Sequence, residues 1–438
     1  MELGLTYALR VAVGACGMAL FATTTGSTAG TRPPSHANGA TAPGFYAPLI
    51  AIMPVGLAPT ALAVDTRRGR IFVLNAGSPQ DTPTHSPSTG RQPTPSVSIL
   101  DATTGHVLHT TPVDPSPAAL AVDQRTGRVF VACDGVPGAE ESSTAVDVLD
   151  AATGTLVATL PLGYASFGPQ ALAVDEPAGR VYLSMDQGVE VLDATTGRVI
   201  GRVPGAGGGA IVVDPRRHRA FVIGGDSITM LDSATLSVMR SQNIPPAPPG
   251  ATNVVAFDAR SSQVFYLFGG IHVGYLGALN TRTGNVLYNA EVNGNYFPLV
   301  LGVDQQRGHV FVDTNFDVYA SPALAMYDGQ TGKPLHVTAL PRQDAFPYQP
   351  GHYQYVTVDS AANRTFIVTS PPSAVPVQIG GASRPGALVV LDATTGRLLS
   401  QHRIGRNPQA VAIDALRHRV FVANQGDNTV SVFDATKL

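Results

Sequence analysis

The chain has 438 residues, a formal net charge of -3 and only 13% charged residues, so no global polybasic or polyacidic character points to nucleic acid or a membrane surface. Gly (46) and Pro (35) are both plentiful, as a chain with dozens of tight turns requires. The length would permit two or three domains, but an uninterrupted repeat from about residue 45 to the C-terminus argues for one.

Residues 1 to 10 carry one Arg, residues 11 to 22 (VAVGACGMALFA) are apolar, and Ser27-Thr28-Ala29 supplies small residues for cleavage. Residues 1–29 are therefore expected to be a secretory signal, too short to span a bilayer comfortably. Val13-Gly14-Ala15-Cys16 resembles a lipobox. Against a lipid anchor, only five residues separate Arg10 from Cys16, and the apolar run continues past it. Residues 30–46, rich in Pro, Gly, Ser and Ala, read as a flexible linker. Cleavage would leave Cys133 as the only thiol, which rules out an intrachain disulfide and fits a small packed residue.

From residue 47 onward one pattern repeats with a period of roughly 40 to 55 residues, built only of strands, as in propellers. A first strand ends in an apolar residue and Asp, at Asp65, Asp123, Asp175, Asp214, Asp258, Asp304, Asp359 and Asp414. A second strand opens five residues later, at Arg70, Arg128, Arg180, Arg219, Gln263, His309, Arg364 and Arg419. A third closes on Asp101, Asp150, Asp193, Asp232, Asn280, Asp328, Asp392 and Asp434, mostly before Ala-Thr-Thr-Gly or a near copy. A fourth follows all but the last. The segment 48–54 reads as the missing outer strand. The fold class predicted is all-β: a single propeller of four-stranded blades, eight in number, its ring closed by the N-terminal strand joining the C-terminal blade. Seven blades would result if the degenerate fifth or sixth unit failed to close.

Along the first strands, large residues (Leu62 and Val64, Leu120 and Val122) alternate with small ones (Ala61 and Ala63, Ala119 and Ala121). Successive side chains leave a strand on opposite faces, so each blade has a bulky and a small face, and only neighbours can bury them.

Phe421-Val-Ala-Asn-Gln-Gly-Asp-Asn-Thr-Val-Ser-Val-Phe-Asp434 closely resembles the signature of YVTN-repeat (YncE-like) β-propellers. The match runs from about residue 48 to the end, strong in units 1, 2, 3 and 8 and weak in 5 and 6. The resemblance implies a propeller in an exported protein, periplasmic or on the cell surface. It names no substrate.

Both short turns of each unit leave one face, which is uniform. The second-to-third and fourth-to-first connections vary widely and lie on the opposite face, where binding loops would sit on a rigid scaffold. On the uniform face, Arg67, Arg68, Arg70, Arg216, Arg217, His218, Arg219, Arg417, His418 and Arg419 either pair locally or form a basic rim for an acidic polymer. On the variable face, the residue five before each first-strand Asp should stand at the channel mouth: Thr60, Ala118, Gln170, Gly209, Asn253, Leu299, Gln354 and Gln409. That ring is uncharged and amide-rich, and amides orient a neutral polar ligand without acid–base chemistry.

One aromatic and titratable cluster, Asp344, Phe346, Tyr348, His352 and Tyr353 with Tyr296 and Phe297, lies near the sixth-to-seventh connection. It either packs a long loop or stacks on a ring or sugar. Asp313-Thr-Asn315-Phe-Asp317 opens like a calcium loop but lacks Gly at the sixth place and an acid at the twelfth. Gly205–Ala210 matches a dinucleotide fingerprint, but a strand follows where a helix is needed, so a turn is expected. No Trp is present, which counts against a pyrroloquinoline-quinone dehydrogenase.

The functional expectation is a non-enzymatic, monomeric binding or scaffold module, without metal or cofactor, for a protein partner or small polar ligand. Its candidate ligand-binding residues are Gln170, Asn253, Gln354, Gln409, Tyr296, Tyr348, His352 and Tyr353. The alternatives are a lactonase-like hydrolase or lyase, with His352 and Asp344 or Asp313 as base, and a heavy-chain-like subunit of a quinoprotein amine dehydrogenase type complex.

Overall fold

A computed structural model describes residues 49–77, 94–135, 144–163, 168–224, 227–244, 253–269, 271–296, 300–314, 323–340, 352–370 and 385–438. Its strands form eight four-stranded antiparallel sheets. Seven of these are continuous in sequence, from blade 1 (59–112) to blade 7 (352–406). The eighth takes its inner three strands from the C-terminus and its outer strand, Leu49–Pro54, from the other end of the chain. Leu49 faces Phe433 and Pro54 faces Thr429 across that closure. Each inner strand touches the inner strands of both neighbouring blades, and Pro408–Asp414 meets Pro59–Asp65 to complete the ring. The fifth and sixth units are full blades, so the count is eight.

The sequence alternation has a direct cause. The third residue of each second strand is aromatic, namely Phe72, Phe130, Tyr182, Phe221, Phe265, Phe311, Phe366 and Phe421, and every one is 0% exposed. Directly across the sheet stand Ala63, Ala121, Ala173, Val212, Ala256, Gly302, Thr357 and Ala412 on the inner strand. Paired residues share a face, so the small partner leaves room for the ring. Burying each ring is worth about 2 kcal/mol. The rings meet the bulky face of the next blade: Phe72, Ala61 and Ala63 pack with Leu120, Val129 and Val131. Eight such clusters fill the eight blade junctions, the last joining Phe421 and Ala410 to Leu62, Val64 and Ile71. Cys133 belongs to one of them, as expected. Burial, and behind it the nearby Asp147 and Asp114 carboxylates, push its thiol far up.

Tyr182 is the one ring of the eight with a hydroxyl, and a buried hydroxyl needs a partner. It donates to Ser233 Oγ at 2.8 Å, and Ser233 donates in turn to Asp175 Oδ2 at 3.0 Å. Blades 1, 2, 3, 7 and 8 have Ala at the place Ser233 occupies in blade 4. In the divergent fifth blade a second buried tyrosine, Tyr266, lies over Gly277, where a Cβ would fall 2.0 Å from the ring, and its hydroxyl reaches Asn289 Oδ1 at 2.7 Å.

On the uniform face all eight inner-strand aspartates are buried, and each accepts backbone N–H groups of its own turn, as in Arg125 and Thr126 to Asp123 Oδ1. The arginine three residues on closes over the carboxylate in four blades: Arg68–Asp65 2.9 Å, Arg217–Asp214 2.9 Å, Arg307–Asp304 2.9 Å and Arg417–Asp414 2.8 Å. Three of the arginines opening a second strand pair instead with the third-strand aspartate: Arg70–Asp101 at 3.1 Å, Arg128–Asp150 at 2.7 Å and Arg419–Asp434 at 3.7 Å. Guanidinium groups also cross to the next blade's turn carbonyl: Arg68 to Gln124, Arg125 to Glu176, Arg216 to Ala259, Arg260 to Gln306, Arg307 to Ser360 and Arg417 to Thr66. The last of these crosses the closure. The arginines are thus engaged in tying blades together, and the basic-rim reading loses its free cations.

Third-strand aspartates cap the following turn. In Asp150, Asp193 and Asp232 the backbone N–H of Thr153, Thr196 and Thr235 leads the hydrogen bonds that hold the carboxyl below its usual range. In Asp328 and Asp434 the threonine hydroxyl leads. Asn280 does the same job uncharged, accepting from Arg282 and Thr283 N–H.

Two predictions follow from these contacts. Ser233→Ala should cost about 2 kcal/mol and Tyr182→Phe about 1 kcal/mol, because each strands or removes one member of a buried chain. In denaturant titrations the double variant should lose less than the sum, by roughly 1 kcal/mol. The depressed turn aspartates contribute stability that is complete above pH about 4 and lost as pH falls through their lower folded values. Asp175 and Asp258, raised by burial, act in the opposite direction, weakening the fold as pH rises through about 4. An Asp193→Asn, Asp232→Asn variant should therefore fold as Asn280 allows and show a smaller drop in Tm between pH 7 and pH 3 than the unsubstituted protein.

Candidate functional site

The start of the inner strand, where the mouth positions were predicted, is built by a repeated lead-in. Four blades use a left-handed residue followed by Pro: Ala58 (φ 52), Ser116 (φ 55), Gly168 (φ 67) and Asn407 (φ 45) precede Pro59, Pro117, Pro169 and Pro408. The left-handed turn aims the carbonyl of that residue at the far end of the second strand, where Ala76, Asp134 and Gln425 N–H bond to Ala58, Ser116 and Asn407 O at 2.9 to 3.0 Å. Holding a non-glycine residue there costs about 1 kcal/mol, which packing on both sides sustains.

The residue after the proline is the predicted mouth position. Pro59 pairs with Asn75 and Ala61 with Leu74, so Thr60 is the extra residue of a β-bulge. Ala118, Gln354 and Gln409 are bulged in the same way. A bulge leaves its residue unpaired and re-aims the side chain. Among the described residues, four of the predicted mouth positions are bulges.

The asparagine that ends the second strand in blades 1 and 8 sits beside this lead-in. Asn424 donates to Thr429 Oγ1 and Ser431 Oγ and accepts from Gly405 N–H at 3.1 Å. Asn75 donates likewise to Ser96 and Ser98 Oγ. A Cβ on Gly56 or Gly405 would come within 2.7 Å of these side chains, so the glycine and the asparagine require each other.

Among the predicted site residues, Gln409 lies in a polar network. Tyr355 Oη donates to Gln409 Oε1 at 3.2 Å, and Gln409 Nε2 donates to Asn407 Oδ1 at 3.0 Å. Asn407 Nδ2 then donates to Gln425 Oε1 at 2.5 Å. Burial pushes the Tyr355 phenol up to about 12, so it stays a donor at neutral pH. Tyr355, Asn407 and Gln425 were not anticipated. Tyr355 was the visible anomaly, since it occupies a position where the other inner strands carry Ala or Val.

Gln170 is half-buried at the mouth of blade 3, its N–H on Ser184 O at 2.9 Å. Asn253 and Gln354 lie in inner strands, and Tyr296 ends the outer strand of blade 5, opposite Ile271. His352 and Tyr353 open the inner strand of blade 7, opposite Ser370 and Thr369. Tyr348, Asp344, Phe346 and Phe297 lie outside the described residues. Asp313, the alternative base, is buried in a second strand and accepts Val300 N–H at 3.2 Å. At Gly209 the mouth is backbone alone, because a Cβ would meet Ile223 O at 2.1 Å. The Gly205–Gly209 run is a turn between strands, as its sequence context implied.

Blade 2 contributes a buried acidic pair. Asp147, fully buried, accepts from Thr159 Oγ1 at 2.5 Å and from Asp114 N–H at 2.7 Å. Burial, then the neighbouring Asp147 charge, raise the Asp114 carboxyl. Among the described residues no group of three or more His, Cys, Asp or Glu is arranged to hold a metal ion, and no helix is long and apolar enough to cross a membrane.

No protein-family model matches the chain. No curated protein matches it either. Solved structures do. The hydrazine synthase of Kuenenia stuttgartiensis aligns with a TM-score of 0.53 and 15% identity over 75% of this chain and 97% of that one. Dihydro-heme d1 dehydrogenase NirN, in complex with DHE, gives 0.56 and 14% over 78% of this chain and 66% of that one. Sqt1 of Saccharomyces cerevisiae gives 0.61 and 11% over 87% and 98%. At these identities the likeness establishes the fold, an eight-bladed β-propeller, and carries no chemistry with it.

Gly209→Ala should lower stability by about 3 kcal/mol, since two backbones must part to admit the methyl. Gly205→Ala, with φ 71 but open space around it, should cost about 1 kcal/mol. Thermal unfolding of the two variants checks the contrast.

Proposed function

We propose that the chain is an exported, YVTN-type β-propeller that captures a protein partner or a small polar ligand on its variable face, without catalysing a reaction. One observation supports this most directly: the polar groups of the uniform face are engaged in holding blades together, whereas the variable face carries all the long connections and the bulged, uncharged mouth. A scaffold with one face fixed and the other free to vary is the arrangement expected of a binder. The apolar run 11–22 and the small residues Ser27-Thr28-Ala29 support export by a cleaved signal, with residues 30–46 as a flexible linker.

The test is capture from the native secretome by the purified protein, with chemical cross-linking. Replacing residues 78–93 and 371–384 by short turns should abolish capture, while Arg67→Ala and Arg216→Ala should leave it intact. Unchanged capture by the loop variant would exclude the variable face. N-terminal sequencing of exported material, starting near residue 30, would check the processing.

A further inference from the structure

The hydrogen bonds at the mouth of blades 7 and 8 all run the same way. The phenol of Tyr355 gives its proton to Gln409, Gln409 to Asn407, and Asn407 to Gln425. Each amide that accepts through its oxygen becomes a better donor through its nitrogen, so the polarisation accumulates along the chain. The chain starts at a hydroxyl that is packed against the apolar junction of Phe366, Val411 and Ile413. It ends at Gln425, which is half-exposed and whose side-chain nitrogen donates to no other described residue. Gln425 is itself fixed, its N–H on Asn407 O at 3.0 Å, and it opens the short 3-10 turn Gln425–Asp427. The site therefore offers held, polarised N–H donors at its tip, with the Asp427 carboxylate beside them.

Charge narrows the ligand further. Arg406 lies beside this turn, but Asp427 takes both its Nε, at 2.5 Å, and its backbone N–H, at 2.7 Å. The pair is neutral and presents a carboxylate next to Gln425, which disfavours an anionic ligand. An uncharged oxygen acceptor is favoured, and the strongest common one is the carbonyl of a secondary amide.

Resting on the variable-face reading above, we infer that the chain Tyr355–Gln409–Asn407–Gln425 is a donor site that recognises the carbonyl of a neutral secondary amide, as found in an acetamido sugar or a peptide link. A secondary amide can set its carbonyl on this donor and its own N–H toward the Asp427 carboxylate, whereas the hydroxyl oxygen of a hydroxyl-only ligand is the weaker acceptor.

The probes are N,N′-diacetylchitobiose, blocked N-acetylalanine N-methylamide, and cellobiose as a hydroxyl-only control. Side-chain amide resonances of Gln409, Asn407 and Gln425 are followed by two-dimensional NMR during titration of the full chain. Saturable shifts at these three residues with one or both amide probes, at least about tenfold tighter than cellobiose, are expected. The probe that binds identifies the source of the amide. Gln425→Glu, which turns the terminal donor into a charged acceptor, should weaken binding by more than about tenfold, and Tyr355→Phe, which removes the start of the chain, by about threefold. Gln425→Ala serves as a second variant should the glutamate perturb the turn, and unchanged backbone spectra report folding in each case. No shift with either amide probe, equal affinity for cellobiose, or undiminished affinity in both Gln425 variants would overturn the assignment. Loss of partner capture on loop replacement, with no amide binding, would refute this site alone. Amide binding with capture that ignores the loops would refute the partner reading alone.

Discussion

The structure rests on one steric exchange, repeated eight times: a buried aromatic ring on the second strand and a small side chain facing it on the first. Strand pairing sets the two at the same height and on the same side of the sheet, so neither can change alone. Because the ring leaves the blade toward the neighbour's bulky face, the exchange that completes one blade also fixes the next. A blade on its own would expose that face, and its stability is a property of the circle. Sequence variation in the core follows this rule. Tyr182 is tolerated because Ser233 and Asp175 take its proton donor in hand, and Tyr266 because Gly277 clears the space and Asn289 receives its hydroxyl.

The polar groups solve a second problem that the ring geometry creates. Eight first strands converge on the axis, and each ends on a carboxylate with 3% exposure or less. Buried charge requires pairing or several hydrogen bonds. Turn N–H groups supply some of these, and arginines or hydroxyls from the same or the next blade supply others. The same side chains bridge to the neighbouring turn, so neutralising the aspartates and joining the blades on this face are one act. The cations of the turns are thereby removed from any role in attracting a polymer.

The blade count, the ring closure and the division into a uniform and a variable face were all legible in the sequence, because each follows from local periodicity and from the spacing of Asp and Arg. The reach of individual side chains was less so. Arg68 and Arg70 look equivalent in the chain, yet one folds back on its own aspartate and crosses to Gln124 while the other pairs with Asp101. Which of them does which depends on the turn conformation, not on residue type. The mouth was half legible. Its positions could be numbered from the aspartates, but the bulges at Thr60, Ala118, Gln354 and Gln409 are a matter of register that a strand pattern does not encode. Gly209 entered the numbered ring as a side-chain position and turned out to be a point of backbone contact. The hydrogen-bonded chain around Gln409 joins residues from two blades and a loop, so only the fold could bring it together.

The outer strand Leu49–Pro54 also has a mechanical meaning. It runs antiparallel to Thr429–Asp434, and Leu49 faces Phe433 only a few residues from the C-terminal Leu438. Tension applied between residue 49 and residue 438 would therefore load the closure at one end and peel it rung by rung, instead of shearing all its hydrogen bonds together. A joint that seals the ring against thermal opening is, along this axis, a zipper. A propeller pulled between these two points would yield there first, with the other seven blades still closed.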